Sequence, residues 1–229
     1  MWKLNNDTSV TITTLRGSKI YTIDNVFAEP KKLERFLFNR QTAMIEPKDP
    51  FSYNGLEFLK CRHHDFVNKA APIVWLASNL TNQAPLFFGS LKTNTEVWLK
   101  GDYNDWKNNY WFPHIDPGYN CIIYFNNDSK NGTNLYDPSL MDEEWFSSLM
   151  KDVPTGAQPW VSKKRVKLLK TLKPKYNRMV LFDGAYFPHS PAIEDERYFV
   201  DTLDTVDRKH IRSTLAFFFS PKANDNEKN

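Results

Sequence analysis

The chain has 229 residues, of which 41% are hydrophobic and 15% aromatic, and its formal net charge is +3. This length and composition fit one globular domain over residues 1–229 with a substantial core, and they argue against extended disorder. Such a small charge gives no reason by itself to expect a nucleic-acid partner. No apolar run is long enough to span a membrane and the start lacks a signal-peptide core, so we expect a cytoplasmic protein without membrane contact.

The region 1–95 is predicted to be a helical support for the rest of the domain. After a strand-like run at Ile20–Asp24, a helix is predicted over Pro30–Asn39, because proline suits a helix start and apolar residues follow at helical spacing. A second helix is predicted from Asp65 to about Leu80. Its apolar stripe comprises Phe66, Ala70, Ile73, Val74 and Ala77.

The region 96–220 has a different pattern, in which short aromatic and β-branched runs are separated by Asn, Asp, Gly and Pro. This pattern is typical of an antiparallel sandwich or barrel. The predicted strands are Glu96–Leu99, Cys121–Phe125, Asn134–Tyr136, Arg178–Phe182 and Arg212–Phe219. We therefore predict an α+β, mainly β fold: a jelly-roll (double-stranded β-helix) core carrying an insertion at 137–175, with the N-terminal helices packed outside. The polar segment 222–229 is predicted to be a flexible tail.

The run His114-Ile115-Asp116 is the strongest functional signal in the chain. On a strand, side chains two residues apart point to the same face, so this histidine and this carboxylate form a chelating pair. A second histidine, His189, follows downstream. Two imidazoles and one carboxylate on one face of a metal leave three positions open, which is the arrangement that non-haem Fe(II) oxygenases use.

Each of these residues also has an ordinary structural interpretation. A single histidine in an aromatic-rich β protein is more often a satisfied core residue than a ligand, and it is the ordered set that favours a metal site. His63-His64-Asp65 contains the same spacing, but it begins a predicted helix, where residues i and i+2 diverge and Asp65 suits an N-cap. We therefore do not assign the metal to that run.

Six runs of the chain, named at the end of this paragraph, resemble the 2-oxoglutarate/Fe(II) oxygenase superfamily in sequence and in order. Within it they resemble the prolyl 4-hydroxylase-like branch. The resemblance covers roughly the C-terminal half of the chain, and the Ile23–Phe27 run followed by a helix is also similar to the entry of that branch. The six runs are His114–Pro117, Cys121–Asn127, Gly132–Tyr136, Asn177–Phe182, Pro188–Ser190 and Arg212–Phe219.

This resemblance implies a set of ligands and a reaction. His114, Asp116 and His189 would bind Fe(II), and 2-oxoglutarate and O₂ would take the open positions, with ascorbate as a reductant. Arg212 would pair with the far carboxylate of 2-oxoglutarate, because a planar guanidinium binds a carboxylate in a bidentate manner. Thr214 and Tyr124 would add hydrogen bonds. The implied reaction is hydroxylation of an unactivated C–H bond with release of succinate and CO₂.

The substrate is the least determined feature. The resemblance favours a prolyl or other amino-acid side chain against an aromatic wall of Trp111, Tyr119 and Tyr186, although core packing explains these residues equally well. A basic run within 163–175 could recruit a polyanion, although a solvated face is its ordinary meaning. A nucleobase or a small metabolite as substrate stays open, as does a non-catalytic jelly-roll binding protein. The sequence does not indicate an oligomeric state.

Overall fold

The computed structural model describes residues 2–38, 59–62, 70–82, 85–96, 98–99, 107–126, 130–140, 144–145, 160–201 and 210–221. Within them the chain is mainly β-structure with two α-helices. The helices are α1 (Pro30–Phe38) and α2 (Ala71–Thr81). The first seven strands are β1 (Ser9–Leu15), β2 (Ser18–Asp24), β3 (Leu59–Arg62), β4 (Pro85–Glu96), β5 (Trp98–Leu99), β6 (Asn109–Trp111) and β7 (Tyr119–Tyr124). The others are β8 (Thr133–Tyr136), β9 (Trp160–Ser162), β10 (Leu168–Leu172), β11 (Arg178–Asp183), β12 (His189–Pro191), β13 (Phe199–Val200) and β14 (Arg212–Pro221).

Two antiparallel sheets organise the domain. The larger has seven strands in the order β1-β2-β11-β7-β14-β4-β3, and the smaller has three in the order β10-β8-β12. There are also two short strand pairs among the described residues, β6 with β9 and β13 with β5, and only the second is parallel. The predicted mainly β, antiparallel class is confirmed, whereas the specific jelly-roll connectivity stays a prediction.

The two faces of the large sheet bury different sets of side chains. One face packs against both helices, as predicted, since Leu33 and Leu37 of α1 and Ile73 and Ala77 of α2 share a core cluster with its strands. The other face packs against the small sheet. That second cluster joins Ile20, Tyr124, Val180 and Phe182 of the large sheet to Leu135 and Leu172 of the small sheet, with Phe187. Side chains on this second face therefore lie between the sheets.

The predicted helical region 1–95 needs correction, because it also supplies four strands, β1 to β4, to the large sheet. Similarly, the predicted insertion 137–175 contains β10, which is an edge strand of the small sheet. Of these strands, β2 overlaps a strand-like run that the sequence indicated, at Ile20–Asp24. Strand β1 is an edge strand whose residues, including Val10 and Ile12, are mostly exposed.

Several sequence predictions fall outside the described residues. These are the start of the second helix at 65–69 with its proposed N-cap, the His63-His64-Asp65 run and the tail 222–229. Within the described part of the chain, no helix has both the length and the apolar character needed to cross a bilayer.

Candidate metal centre

The segment that carries His114 and Asp116 lies between β6 and β7 and is not itself part of a long strand. His114 forms an isolated antiparallel bridge with His189, in which each backbone N–H donates to the other residue's carbonyl at 2.9 and 2.8 Å. The Asp116 N–H donates to the carbonyl of Gly184 at 3.2 Å. Backbone pairing thus brings together two histidines that are far apart in the sequence.

The three predicted ligands converge on one point. Oδ2 of Asp116 lies 3.2 Å from Nε2 of His189 and 3.8 Å from Nε2 of His114. One ligand atom from each residue lies within 4.8 Å of the other two. Neighbouring ligands of a metal held by bonds of about 2.1 Å are roughly 3 Å apart, so this cluster can hold a metal ion once His114 moves closer to the other two residues.

The histidine rings are held so that Nε2 faces the cluster. Nδ1 of His189 lies 2.9 Å from the carbonyl oxygen of Phe187, which can only accept, so Nδ1 carries the hydrogen. In the neutral ring the lone pair then resides on Nε2, next to Asp116. Nδ1 of His114 makes a longer contact, 3.4 Å, with the carbonyl of Phe112. Such outer hydrogen bonds fix the tautomer and the orientation of metal-binding histidines.

The cluster lies at the edge of the core, with its deepest member fully enclosed. The His189 side chain is 4% exposed, whereas Asp116 is 29% and His114 44% exposed. Burial raises the pKa of Asp116. The hydrogen bond that Nε2 of a protonated His189 donates, the charges of both histidines when protonated and a hydrogen bond from Asn120 outweigh this effect, so the pKa lies well below its usual range. The carboxylate is therefore ionised at neutral pH, as a metal ligand must be.

The predicted 2-oxoglutarate residues also come together, on strands β7 and β14. Thr214 is the cross-strand partner of Tyr124. The guanidinium carbon of Arg212 lies 6.0 Å from the centre of the Tyr124 ring. Arg212 donates from Nε to the carbonyl of Asn131 at 3.2 Å and from Nη2 to that of Gly132 at 2.9 Å. Arg212, Tyr124 and Thr214 are each at most 4% exposed, so the guanidinium is a fixed positive charge in a buried environment.

A continuous core connects this charge with the metal ligands. The Phe182 ring packs edge-on against His189, with centroids 5.0 Å apart, and shares the inter-sheet cluster with Tyr124 and Leu135. Leu135 is in turn the cross-strand partner of His189. The Tyr124 hydroxyl is within hydrogen-bond distance, 2.8 Å, of the Thr133 hydroxyl. His189 and Arg212 thus border the same inter-sheet core.

The three aromatic residues predicted to line the substrate site have three different surroundings. Trp111 is 8% exposed and packs edge-on against Trp160. Tyr119 stacks on Phe219 at the helix-side core, on the face of β7 opposite to Tyr124. Tyr186 is 38% exposed, and its hydroxyl donates to the carbonyl of Arg16. A substrate contact stays a prediction for each of them.

Asn120 is a site residue that sequence reasoning missed. Its Nδ2 donates to Oδ2 of Asp116 at 2.9 Å and lies 2.7 Å from Nε2 of His189. The sequence signal was an amide four residues after the candidate metal-binding carboxylate, in the run Asp116-Pro117-Gly118-Tyr119-Asn120. Asn and Gly next to Pro usually mark turns, so nothing in the sequence distinguished this amide from a loop residue.

No family model and no curated protein matches the sequence. Among solved structures, HygX from Streptomyces hygroscopicus, in a crystal structure with nickel and 2-oxoglutarate bound, aligns with 89% of this chain and 82% of its own chain. The TM-score is 0.48 and the sequence identity 11%. At this level the alignment assigns neither a family nor a ligand to this chain.

Proposed function

We propose that the protein is an Fe(II)- and 2-oxoglutarate-dependent oxygenase. The observation that carries the proposal is the convergence of His114, Asp116 and His189, with both Nε2 atoms facing one carboxylate oxygen. Two imidazoles and a single carboxylate, with no thiolate, are the donor set of non-haem Fe(II) oxygenases. Catalytic zinc sites can also use histidine and carboxylate ligands. The buried guanidinium of Arg212 is therefore needed to favour an Fe(II)- and 2-oxoglutarate-dependent site over a zinc site.

Arg212 is the second support. A buried guanidinium that donates to two backbone carbonyls is held in one plane, which favours two-pronged pairing with the far carboxylate of 2-oxoglutarate. The hydroxyls of Thr214 and Tyr124 lie on the same face and can donate to the remaining lone pairs. These three residues would bind and orient the co-substrate, and the surrounding core would exclude water from it.

In this proposal His114, Asp116 and His189 hold Fe(II), which supplies the one-electron chemistry needed for O₂ to react with 2-oxoglutarate. The overall reaction consumes R–H, 2-oxoglutarate and O₂ and yields R–OH, succinate and CO₂. One oxygen atom enters the product and the other enters succinate. Ascorbate would keep the iron reduced between turnovers. The proposal includes the jelly-roll connectivity, which suits two sheets that share an interior.

The substrate class we favour is a prolyl or other amino-acid side chain, and this part rests on the sequence resemblance alone. Lys163, Lys164 and Arg165 are exposed in the turn before β10, so a polyanionic substrate is the alternative to include in the test. A small metabolite is the third class.

The test is succinate formation from 2-oxoglutarate with Fe(II) and O₂, with and without a chelator. Proline-containing peptides, single-stranded nucleic acid and a metabolite mixture are added separately, at low and high salt, and products are searched by mass spectrometry for one added oxygen atom. We expect chelator-sensitive succinate formation that one substrate class stimulates. Stimulation by nucleic acid alone, lost at high salt, would refute the prolyl proposal. No succinate from iron-loaded protein under any condition would refute the activity.

A further inference from the structure

The side chain of Asn120 has an unusual position for a buried amide. It lies at the start of β7, is 1% exposed, and touches two of the three candidate metal ligands through one nitrogen atom. We propose that Asn120 is a positioning residue of the metal centre: its amide holds Asp116 in the orientation for metal binding and occupies the His189 lone pair until a metal takes its place. This inference rests on the proposed metal site.

The orientation of the amide follows from its neighbours. An ionised carboxylate accepts hydrogen bonds and cannot donate, and in the neutral form of His189, whose hydrogen is on Nδ1, Nε2 is an acceptor as well. Both contacts therefore require the NH₂ end of Asn120, whose two hydrogens can serve one acceptor each. With its two hydrogen bonds, the amide links Asp116 to His189 across the centre.

The opposite end of the same amide argues against a packing role. Within the described part of the chain, Oδ1 of Asn120 is buried and has no hydrogen-bond partner. An apolar side chain of similar shape would fill the space without leaving a buried oxygen unsatisfied, and such unsatisfied atoms are rare in folded proteins. The amide is therefore explained by what its nitrogen does, which is to contact the ligands.

Gly184 provides the space that this arrangement needs. A Cβ atom at this position would lie 2.3 Å from Oδ1 and 2.6 Å from Cγ of Asn120, so any other residue would displace the amide. The carbonyl of Gly184 also accepts the Asp116 N–H. Gly184 thus fixes the backbone of Asp116 through its carbonyl. Because it has no side chain, it also leaves space for Asn120, which holds the Asp116 carboxylate.

Metal binding changes the two contacts differently. The Nε2 lone pair of His189 cannot accept a hydrogen bond and coordinate a metal at once, so the bond from Asn120 to His189 must be lost. A carboxylate oxygen has two lone pairs, so the bond to Asp116 can persist. Removing the amide therefore eliminates the bond to His189 from the metal-free protein only. It eliminates the bond that orients the Asp116 carboxylate from both the metal-free and the metal-bound protein. Loss of outer hydrogen bonds to ligands typically weakens metal binding by roughly 10- to 100-fold, which exceeds the gain from freeing one neutral hydrogen bond.

The experiment is a Co(II) titration followed by visible absorption, because the cobalt spectrum reports ligand geometry as well as occupancy. We expect Asn120→Leu to raise the Co(II) Kd by roughly 10- to 100-fold and to change the shape of the spectrum. Asn134→Leu is the matched control. Asn134 is also 2% exposed and hydrogen-bonded, to Thr171 and Tyr136 in the small sheet, so its loss should lower thermal stability while the cobalt affinity and spectrum stay as in the wild type.

A double-mutant cycle keeps the test independent of folding defects. Gly184→Ala should weaken Co(II) binding in the wild-type background because it displaces the Asn120 amide. It should have little further effect in an Asn120→Ala background, because no amide is left to displace. Wild-type affinity and spectrum in Asn120→Leu, or additive effects in the cycle, would overturn the inference. Failure of the wild-type protein to bind Co(II) would instead refute the metal site itself.

Discussion

Replacing Arg212 tests the co-substrate half of the proposal. The guanidinium is 4% exposed, so a carboxylate paired with it is removed from water and depends on it for its counter-charge. Truncating one partner of such a buried, hydrogen-bonded charge pair costs about 2–5 kcal/mol, which is roughly 30- to 4,000-fold in affinity. Because the hydroxyls of Tyr124 and Thr214 remain, we expect the 2-oxoglutarate Kd of Arg212→Ala to rise by roughly 100-fold, within this range.

Arg212 also donates hydrogen bonds to the backbone carbonyls of Asn131 and Gly132. Its replacement therefore lowers stability as well, and this effect must be separated from the effect on 2-oxoglutarate binding. Losing these hydrogen bonds costs about 1–3 kcal/mol for a buried group left unsatisfied, so the variant should melt at a lower temperature. Affinity is therefore measured by calorimetry on anaerobic, Fe(II)-loaded protein at a temperature where circular dichroism shows both proteins folded.

Arg212→Lys is the matched variant for charge. It keeps the positive charge but loses the planar, two-pronged donor, so its 2-oxoglutarate Kd should lie between those of the wild type and Arg212→Ala. Iron binding should be nearly unchanged in both variants. Wild-type 2-oxoglutarate affinity in folded Arg212→Ala would show that another residue holds the carboxylate, and the proposed pocket would be wrong.

Two further predictions concern the scaffold around the site. Gly132→Ala should destabilise the protein by about 3 kcal/mol or more, because the added Cβ would lie 1.8 Å from the backbone oxygen of Leu172, and near-wild-type stability in urea unfolding would contradict this contact. Asp24→Asn should lose about 1–2 kcal/mol at neutral pH, because Arg178 binds this carboxylate at 2.6 and 3.0 Å and thereby lowers its pKa below the unfolded value near 3.8. A carboxyl with a lowered folded-state pKa stabilises the protein above the unfolded pKa and loses that effect as the pH falls through the folded pKa. The free energies of unfolding of the variant and the wild type should therefore become similar at acidic pH. An equal difference at neutral and at acidic pH would refute the role of the ion pair.

The candidate ligands could be predicted because their residue types, two histidines and a carboxylate, and their order along the chain indicate a metal site. His114 and Asp116 are two residues apart, and the later His189 needs only a fold that brings its strand alongside. The backbone bridge between the two histidines supplies that condition, although no local sequence pattern encodes it. The co-substrate role of Arg212 came from the family resemblance; the structure buries this residue on β14, and the role stays a prediction.

The missed features depend on tertiary contacts. The role of Asn120 arises from the approach of Gly184, which lies on a separate part of the chain, so the motif around Asp116 did not contain the information. Strand β4 was missed apart from its end because Gly, Ser, Lys and Asn interrupt its pattern, and only pairing with β3 and β14 makes it a strand. Tertiary pairing overrides weak local propensity in such segments.

The claim that His114, Asp116 and His189 together bind one metal ion is tested most directly by anaerobic equilibrium dialysis against Fe(II). We expect one Fe(II) per wild-type chain and almost none in Asp116→Ala, since that change removes the anionic member of the three candidate ligands and leaves two neutral imidazoles. Circular dichroism of the dialysed samples confirms that both proteins are folded. Undiminished iron in folded Asp116→Ala, or no iron in the wild-type protein, would show that these three residues do not form the metal site.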